Sequence, residues 1–189
     1  MEETHPVSKK IKKEDDDDDC IEELDLSYQN LIELPPLPPG LKKLDCSGNK
    51  LIALPPLPSG LEELDCSVNQ LTALLPLPPG LKALGCNYNE LTALPPLPPG
   101  LEVLVCNCNE LTALPPLPSG LKGLDCRFNE LKYKGRTIEE IRKEQEEEEE
   151  RKKNIWMANM IVFGRVRQEM GLCKETKLDW LVKNIISHF

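Results

Sequence analysis

Leucine recurs along the chain with a period of 20 residues, and each period holds two hydrophobic patterns. The first half has the form L-x-x-L-x-C-x-x-N-x-L, and the second half, LPPLPPG or LPPLPSG, places leucines between prolines. Four full units run without insertion from Leu41 to Gly120; a degenerate copy starts at Ile21, and a truncated copy ends near Tyr133. The pattern predicts one strand per unit, beginning at residues 21, 41, 61, 81, 101 and 121.

Apolar residues at fixed places in the unit predict a core that runs from one unit to the next. Leu41, Leu44, Cys46 and Leu51 would point into a core that a single unit cannot close, so the units must stack. In each unit an asparagine lies where the chain turns away after the strand. Its side-chain amide can form hydrogen bonds with backbone groups of adjacent coils. These asparagines are Asn49, Asn69, Asn89, Asn109 and Asn129, whereas the first copy has Gln29 followed by Asn30 and should turn imperfectly.

The proline-rich half of the unit predicts an extended return segment. Proline cannot donate to a helix and disfavours α conformation in the residue before it, so the outer side should be polyproline-like. Glycine is expected to permit the corner into the next strand, at residues 40, 60, 80, 100 and 120. The PxxP spacing of Pro35–Pro38 also fits a ligand of proline-binding domains, but the fixed phase in the unit favours a solenoid wall.

This unit resembles the short leucine-rich repeat of bacterial effectors of the YopM and IpaH type, and similar Cys-bearing repeats occur in large DNA viruses of amoebae. The resemblance covers residues 21–133. It implies an α/β-repeat, leucine-rich-repeat solenoid: a parallel sheet of about six strands on the concave face, a polyproline-like convex side, and a protein-binding role. The chain departs from the effectors in carrying cysteine where they usually have a branched aliphatic residue. Only 56 residues follow Tyr133, so the ligase activity of some effectors is not carried over.

Charged segments flank the predicted solenoid, which spans residues 20–133. Residues 1–19 are predicted to be a disordered charged tail, because KKIKK is followed by a run of acids. Residues 134–189 are predicted to form a long charged helix over 137–170, which Thr137 and Glu140 would start as a capping box, and a short amphipathic helix over about 177–188. Three i,i+4 pairs would stabilise the charged stretch, namely Glu147–Arg151, Glu148–Lys152 and Glu149–Lys153. These helices are expected to pack as a hairpin held clear of the solenoid, by themselves or in a coiled-coil homodimer. The alternatives are that they cap the open end of the solenoid or recruit an enzyme as an adaptor.

Charge and composition argue against several classes of partner. The net charge is −9, divided as −4 over residues 1–19, −6 over 20–133 and +1 over 134–189, which disfavours nucleic acid. No apolar run is long enough to cross a membrane, and the N-terminus lacks the apolar region of a secretory signal. Eight cysteines without an export signal indicate a reducing, cytoplasmic location, or a host cell if the source is a virus or a bacterium that secretes effectors. Lys9, Lys10, Lys12 and Lys13 leave nuclear import as the alternative.

No catalytic residue, metal site or cofactor is expected. Cysteine recurs once per unit and in phase with the leucines, which favours a buried structural role for Cys46, Cys66, Cys86, Cys106 and Cys126. Neighbouring strands are too far apart for disulfides, and His5 and His188 are the only histidines. Cys173, Asp179 and His188 have the residue types of a thiol triad, but they lie on short terminal segments without a predicted pocket.

The concave face is the candidate functional surface. Its outer strands carry polar residues, whereas the middle is apolar, which is the composition of a protein-binding patch. The candidate partner-binding residues are Val68, Ala83, Gly85, Tyr88, Val103, Val105, Cys108 and Phe128. The neighbouring acids Asp45, Asp65 and Asp125 would steer a basic partner. The sequence therefore predicts a non-enzymatic intracellular module that binds a protein; self-assembly through the C-terminal helices is the alternative.

Overall fold

The computed structural model describes residues 9–11, 21–132 and 137–169, with side chains over 21–132 and 137–160. One sheet has seven strands in chain order. They are β1 (Lys9–Ile11), β2 (Glu23–Asp25), β3 (Lys43–Asp45), β4 (Glu63–Asp65), β5 (Ala83–Gly85), β6 (Val103–Val105) and β7 (Gly123–Asp125). A helix, α1, follows at Ile138–Glu169.

The six strands β2–β7 are parallel, and each residue pairs with the residue 20 positions later. Leu24, for example, pairs with Leu44, and Leu84 pairs with Leu104. Within the described repeats, the return segments contain neither strand nor helix, as their proline spacing predicts. The predicted parallel sheet of a leucine-rich-repeat solenoid is therefore confirmed.

The strand β1 was not predicted. It pairs antiparallel with β2, Lys9 opposite Asp25 and Ile11 opposite Glu23, whereas the sequence predicted a disordered tail over residues 1–19. Pairing here fills the edge of β2, whose backbone groups would otherwise have no neighbouring strand. The rest of that predicted tail lies outside the described residues.

The core forms a continuous column because every coil contributes the same apolar positions. The leucines that begin each full unit are fully buried from Leu41 to Leu101, and so are the cysteines Cys46, Cys66, Cys86 and Cys106. Leu26 takes the cysteine place in the first copy and is also buried. Cys126, in the last copy, is only partly buried.

The asparagine positions form the predicted hydrogen-bond ladder. Asn89 donates from Nδ2 to the carbonyl oxygens of Cys66 (3.1 Å) and Cys86 (3.2 Å), and its Oδ1 accepts from the backbone N–H of Leu71 (3.0 Å). Asn69, Asn109 and Asn129 repeat this pattern in their own coils. The first turn differs, as predicted, since Asn30 has a φ of 56° and no later asparagine of the ladder has a positive φ.

The second position of each unit carries charges of alternating sign. Successive coils present Glu22, Lys42, Glu62, Lys82, Glu102 and Lys122. The Nζ of Lys82 lies 2.6 Å from Oε2 of Glu62, and the Nζ of Lys122 lies 2.7 Å from Oε2 of Glu102. Opposite charges thus face each other across neighbouring coils on this exposed side.

The corners into the strands do not use glycine as predicted. Each corner is closed by an i to i+3 hydrogen bond, such as the bond from the N–H of Leu101 to the carbonyl of Pro98 (3.1 Å). In the described chain Gly48 is the one glycine with a positive φ, and a Cβ on Gly100 or Gly120 would have no neighbouring atom within 4 Å. The corner glycines are therefore not required by local conformation or by space.

We expect Gly100→Ala to stabilise the protein and Gly48→Ala to destabilise it. The corner substitution lowers the entropy of the unfolded chain without strain, a gain of about 0.4–1 kcal/mol. At Gly48 φ is 66° and a Cβ would clash with the ring of Tyr28, so a loss of about 1–2 kcal/mol is expected. Urea unfolding measures both variants; a loss of stability in Gly100→Ala would show that the corner needs glycine.

The first turn of α1 covers the last coil. The predicted capping box is present: the N–H of Thr137 donates to Oε2 of Glu140 (2.9 Å), and the N–H of Glu140 donates to Oγ1 of Thr137 (3.2 Å). Ile141 is fully buried in the core cluster, and Arg142 donates to the carbonyl of Pro118 in the last corner. The helix start therefore caps the apolar end of the array, which repeat proteins require.

Further along α1, one predicted charge pair is present and the others differ. Lys152 lies 3.2 Å from Glu148, as predicted. The carboxylate of Glu147 instead lies 4.0 Å from Lys143, and Arg151 donates to the backbone carbonyl of Glu147. Beyond the charged stretch Ile155, Trp156 and Met157 are exposed. The predicted second helix, the hairpin and the residues Cys173, Asp179 and His188 lie outside the described residues.

Candidate functional site

A groove of about 460 Å³ runs across the inner face of the sheet, from β2 to β6. It divides into two halves along the solenoid. The half on β2–β4 is lined by Glu23, Asp25, Lys43, Asp45, Glu63 and Asp65. The half on β5 and β6 is lined by Ala83, Gly85, Val103 and Val105, so it carries no charged side chain.

The acidic half contains a row of three aspartates, Asp25, Asp45 and Asp65, which we call the Asp row. The serine two residues later orients each carboxylate: the N–H of Ser47 donates to Oδ1 of Asp45 (2.9 Å), and the Ser47 hydroxyl does so at 2.6 Å. The N–H of Ser67 donates to Asp65 in the same way. Across the residues whose side chains are described, no lysine or arginine forms an ion pair with Asp45 or Asp65.

The two glutamates of the acidic half are bridged by a lysine. Lys43 lies 3.6 Å from Glu23 and 3.3 Å from Glu63, and these contacts raise the pKa of Lys43. One positive charge is thus shared between two glutamates on the neighbouring strands. The negative charge that remains is concentrated in the Asp row.

Small side chains shape the apolar half. A Cβ on Gly85 would lie 3.0 Å from Oδ1 of Asp65 and 3.2 Å from Oγ of Ser67, so glycine leaves room for the last carboxylate of the Asp row. Val103 keeps 40% of its surface exposed, and Val105 and Ala83 are half-buried. The result is an apolar depression directly beside the acidic row.

A second row lies at the eighth position of each unit, three residues after the strand ends; we call it the rim row. Its members all have left-handed backbone, with φ of 52° to 66°: Tyr28, Gly48, Val68, Tyr88, Cys108 and Phe128. A residue with a Cβ loses roughly 1–2 kcal/mol in this conformation, and Gly48 shows that glycine fits it. Tyr28, Val68, Tyr88 and Phe128 are all exposed, so burial does not offset this strain.

The rim row is tied together where it meets the last coils. The thiol of Cys108 in the next coil raises the pKa of the Tyr88 hydroxyl. The next coil places Phe128 on the surface with 74% of its area exposed. Beside it, Arg127 binds Asp125 through two contacts, Nε to Oδ1 (3.0 Å) and a terminal nitrogen to Oδ2 (2.9 Å), which lowers the pKa of Asp125.

The predicted site residues therefore fall into two adjoining sets. Ala83, Gly85, Val103 and Val105 line the groove, while Val68, Tyr88, Cys108 and Phe128 belong to the rim row. Asp125 differs from Asp45 and Asp65 because it forms an ion pair with Arg127, which offsets its charge; its role in steering a basic partner stays a prediction. Sequence reasoning missed the left-handed backbone of the rim row, whereas it placed Asp25, Asp45 and Asp65 among the polar residues of the outer strands.

The four buried cysteines Cys46, Cys66, Cys86 and Cys106, which we call the cysteine column, have thiols that resist ionisation. Burial raises the pKa of Cys46 and Cys86 to about 12 and raises that of Cys66 and Cys106 as well. The Cys66 thiol donates to the carbonyl of Gly85 (3.3 Å). The described parts of the chain contain no cluster of three potential metal ligands, and none of their helices has the length and apolarity to cross a membrane.

Stacked 20-residue coils, a parallel concave sheet and an asparagine ladder define a leucine-rich-repeat solenoid. This is a repeat fold of the protein-interaction type.

Three solved structures are similar to the chain. YopM from Yersinia enterocolitica WA-314 is 47% identical with a TM-score of 0.54, over 55% of this chain and 23% of that one. A Shigella effector leucine-rich-repeat domain is 41% identical with a TM-score of 0.57, over 57% of this chain and 50% of that one. YopM from Yersinia pestis, a leucine-rich effector protein, is 40% identical with a TM-score of 0.58, over 59% of this chain and 32% of that one.

The repeats of this chain are thus of the short class found in YopM and the Shigella effector. The match covers half or less of each of those proteins. The chain matches no protein-family model and no curated protein.

Proposed function

We propose that this protein is a non-enzymatic binding module that recognises another protein through its concave groove and rim row. The observation that carries the proposal is the chemistry of the rim row. Tyr88 and Phe128 are large, exposed and held in a backbone conformation that favours glycine. Strained residues that the folded state does not need point to a functional role.

The surroundings of these two aromatics have the composition of an interface. Exposed aromatic anchors next to an apolar depression, with charged residues around them, are where binding energy concentrates in protein complexes. The similar effector structures have the same class of repeat, and YopM from Yersinia pestis is described as an effector protein. The proposed partner is a protein, and no cofactor is required.

We expect the double variant Tyr88→Gly/Phe128→Gly to lose a partner while becoming more stable. Glycine relieves about 1–2 kcal/mol of left-handed strain at each position but costs about 0.5–1 kcal/mol of extra chain entropy there, so the free energy of unfolding should rise by about 1–2 kcal/mol in total. Truncating two aromatic anchors should weaken binding by about 2 kcal/mol or more for each hot spot. Affinity capture followed by calorimetric titration of the captured partner measures the second effect, and urea unfolding measures the first.

The matched control is Tyr28→Gly, which removes a rim-row aromatic at the far end from Phe128. It should leave the affinity for the partner within about twofold. Val105→Asp tests the groove itself and should also abolish binding, because it places a charge in the apolar half. If both the double variant and Val105→Asp keep every partner with unchanged affinity, the proposal is wrong.

A second candidate function is self-association through residues 154–189. The observation that favours it is the exposure of Ile155, Trp156 and Met157 in succession on α1. Light scattering on the full chain should then give a dimer, and Trp156→Glu should give a monomer. A monomeric full chain at high concentration would remove this candidate.

A further inference from the structure

The groove is divided along the solenoid axis, and this division specifies the chemistry of its occupant. Five carboxylates and one lysine line the groove over β2–β4, and none of either lines it over β5 and β6. Because parallel strands stack in chain order, the acidic half and the apolar half follow each other across the strands rather than along them. A ligand that lies across the strands therefore contacts the acidic half with one part and the apolar half with the next.

The acidic half is ready to receive positive charge. Serine donors fix Asp45 and Asp65 in position, and neighbouring carboxylates of the Asp row lie about one strand spacing, roughly 4.8 Å, apart. Like charges this close repel, so a cation that enters between them gains from both. Lys43 relieves Glu23 and Glu63 but forms no contact with Asp45 or Asp65.

The apolar half suits one or two aliphatic side chains. Gly85 has no side chain, and Ala83, Val103 and Val105 form a shallow wall around it. An apolar group placed there would cover Val103, which is 40% exposed. Of the rim-row aromatics, Tyr88 follows β5, which lines this half, and Phe128 follows β7, one strand beyond the groove.

We propose that the groove binds an extended segment of a partner protein in which a basic cluster and an apolar cluster are separated by about three or four residues. From β3, the centre of the acidic half, to the midpoint between β5 and β6 is two and a half strand spacings, or about 12 Å. An extended chain rises about 3.3 Å per residue, which gives the stated separation. This inference rests on the proposed function and narrows it to a class of partner.

Synthetic peptides test the proposal on the full-length protein by fluorescence anisotropy. The probe is a labelled peptide Lys-Arg-Gly-Ser-Leu-Leu, in which the centres of the basic and apolar pairs are four residues apart, made in both chain directions. The controls are a peptide of the same composition with the leucines directly after the basic residues, and a peptide with glutamate for each basic residue. In at least one direction, the spaced peptide should bind about tenfold tighter than the unspaced peptide, and the acidic peptide should not bind.

Protein variants locate the contact. The double variant Asp45→Asn/Asp65→Asn keeps the shape and the serine hydrogen bonds but removes two charges. Its affinity for the spaced peptide should be about tenfold lower and should depend less on salt concentration. Glu90→Gln/Glu110→Gln makes the same change of net charge on exposed residues outside the groove, and it should alter affinity less than twofold. Val105→Asp should weaken the spaced peptide and leave the unspaced peptide unchanged.

Equal affinity for spaced and unspaced peptides in both directions would overturn the proposal, and so would an equal effect of the two charge-matched variants. Failure here is distinguishable from failure of the proposed function. If Tyr88→Gly/Phe128→Gly loses a natural partner but the peptides do not discriminate, the groove binds a protein of another chemistry. If the peptides discriminate as stated, both proposals are supported.

Discussion

The free energy of unfolding is expected to fall steeply above about pH 9, because the buried thiols of the cysteine column stay protonated in the folded chain. Burial raises the pKa of Cys46 and Cys86 from 9.0 to about 12, and it raises the pKa of Cys66 and Cys106 in the same direction. The unfolded chain releases these protons near pH 9. The stabilising contribution is therefore complete below pH 9 and is lost as the pH rises toward 12.

The expected loss is large because the four thiols act together. A group that ionises only in the unfolded chain lowers the free energy of unfolding by about 1.4 kcal/mol at one pH unit above its unfolded pKa. Four such groups give about 5–6 kcal/mol at pH 10, which is comparable with the whole stability of a small domain. Urea unfolding followed by circular dichroism, at pH 7, 8, 9 and 10 with a reductant present, measures this loss.

Single thiol variants separate this effect from the titration of lysine and tyrosine in the same range. Cys66→Ala should cost about 1–2 kcal/mol at pH 7 but remove about a quarter of the loss between pH 9 and 10. A pH profile that is the same in Cys66→Ala and the parent would contradict the prediction. Cys66→Asp places the same buried charge in the column at pH 7 and should unfold the repeats there.

Replacing one rung of the asparagine ladder is the second large effect we expect. Asn89→Ala leaves the N–H of Leu71 without its acceptor. It also removes one of two asparagine donors to the carbonyls of Cys66 and Cys86, which keep their bonds from Asn69 and Asn109. A buried backbone N–H without its hydrogen bond costs about 1–3 kcal/mol, so a loss of about that size is expected from the Leu71 N–H. Because Asn89 joins two neighbouring coils, the loss should also reduce the cooperativity of unfolding along the array.

Asn107→Ala is the matched control, since it removes an asparagine of the same neighbourhood that is not part of the ladder. The Asn107 side chain makes a weak contact with the Cys108 sulfur (3.6 Å), and its removal should cost less than about 1 kcal/mol. Chemical denaturation of both variants gives the comparison, and hydrogen exchange at Leu71 reports the freed N–H directly. Equal stability of the two variants would mean that water replaces the amide without loss.

The sequence was sufficient to predict the repeating positions at which one residue type has one structural role. Leucine and cysteine at fixed places identified the buried column, asparagine identified the ladder, and Thr137 with Glu140 identified the start of α1. In each case the residue type has one dominant physical role at that place, so a single sequence is enough.

Features that depend on neighbouring coils could not be predicted. The left-handed backbone of Tyr88 and Phe128 is imposed by hydrogen bonds between coils, such as that from the N–H of Tyr88 to the carbonyl of Asn107, and not by local preference. Likewise, Ile141 is one apolar residue before a charged stretch, and only the exposed end of the last coil gives it a burial site. Pairing of β1 with β2 has no signal in a basic tripeptide.

The alternating charges at the second position make two coils, not one, the true period of this solenoid. Loss of residues 61–80 would bring Lys82 beside Lys42, whereas loss of residues 61–100 would bring Glu102 there and preserve the alternation. The same holds for added coils: two coils preserve the alternation of charge, and one coil breaks it. Opposite charges therefore remain next to each other along this side of the array only when repeats are duplicated or deleted in pairs. To lengthen the groove without placing like charges side by side, 40 residues should be inserted at a time.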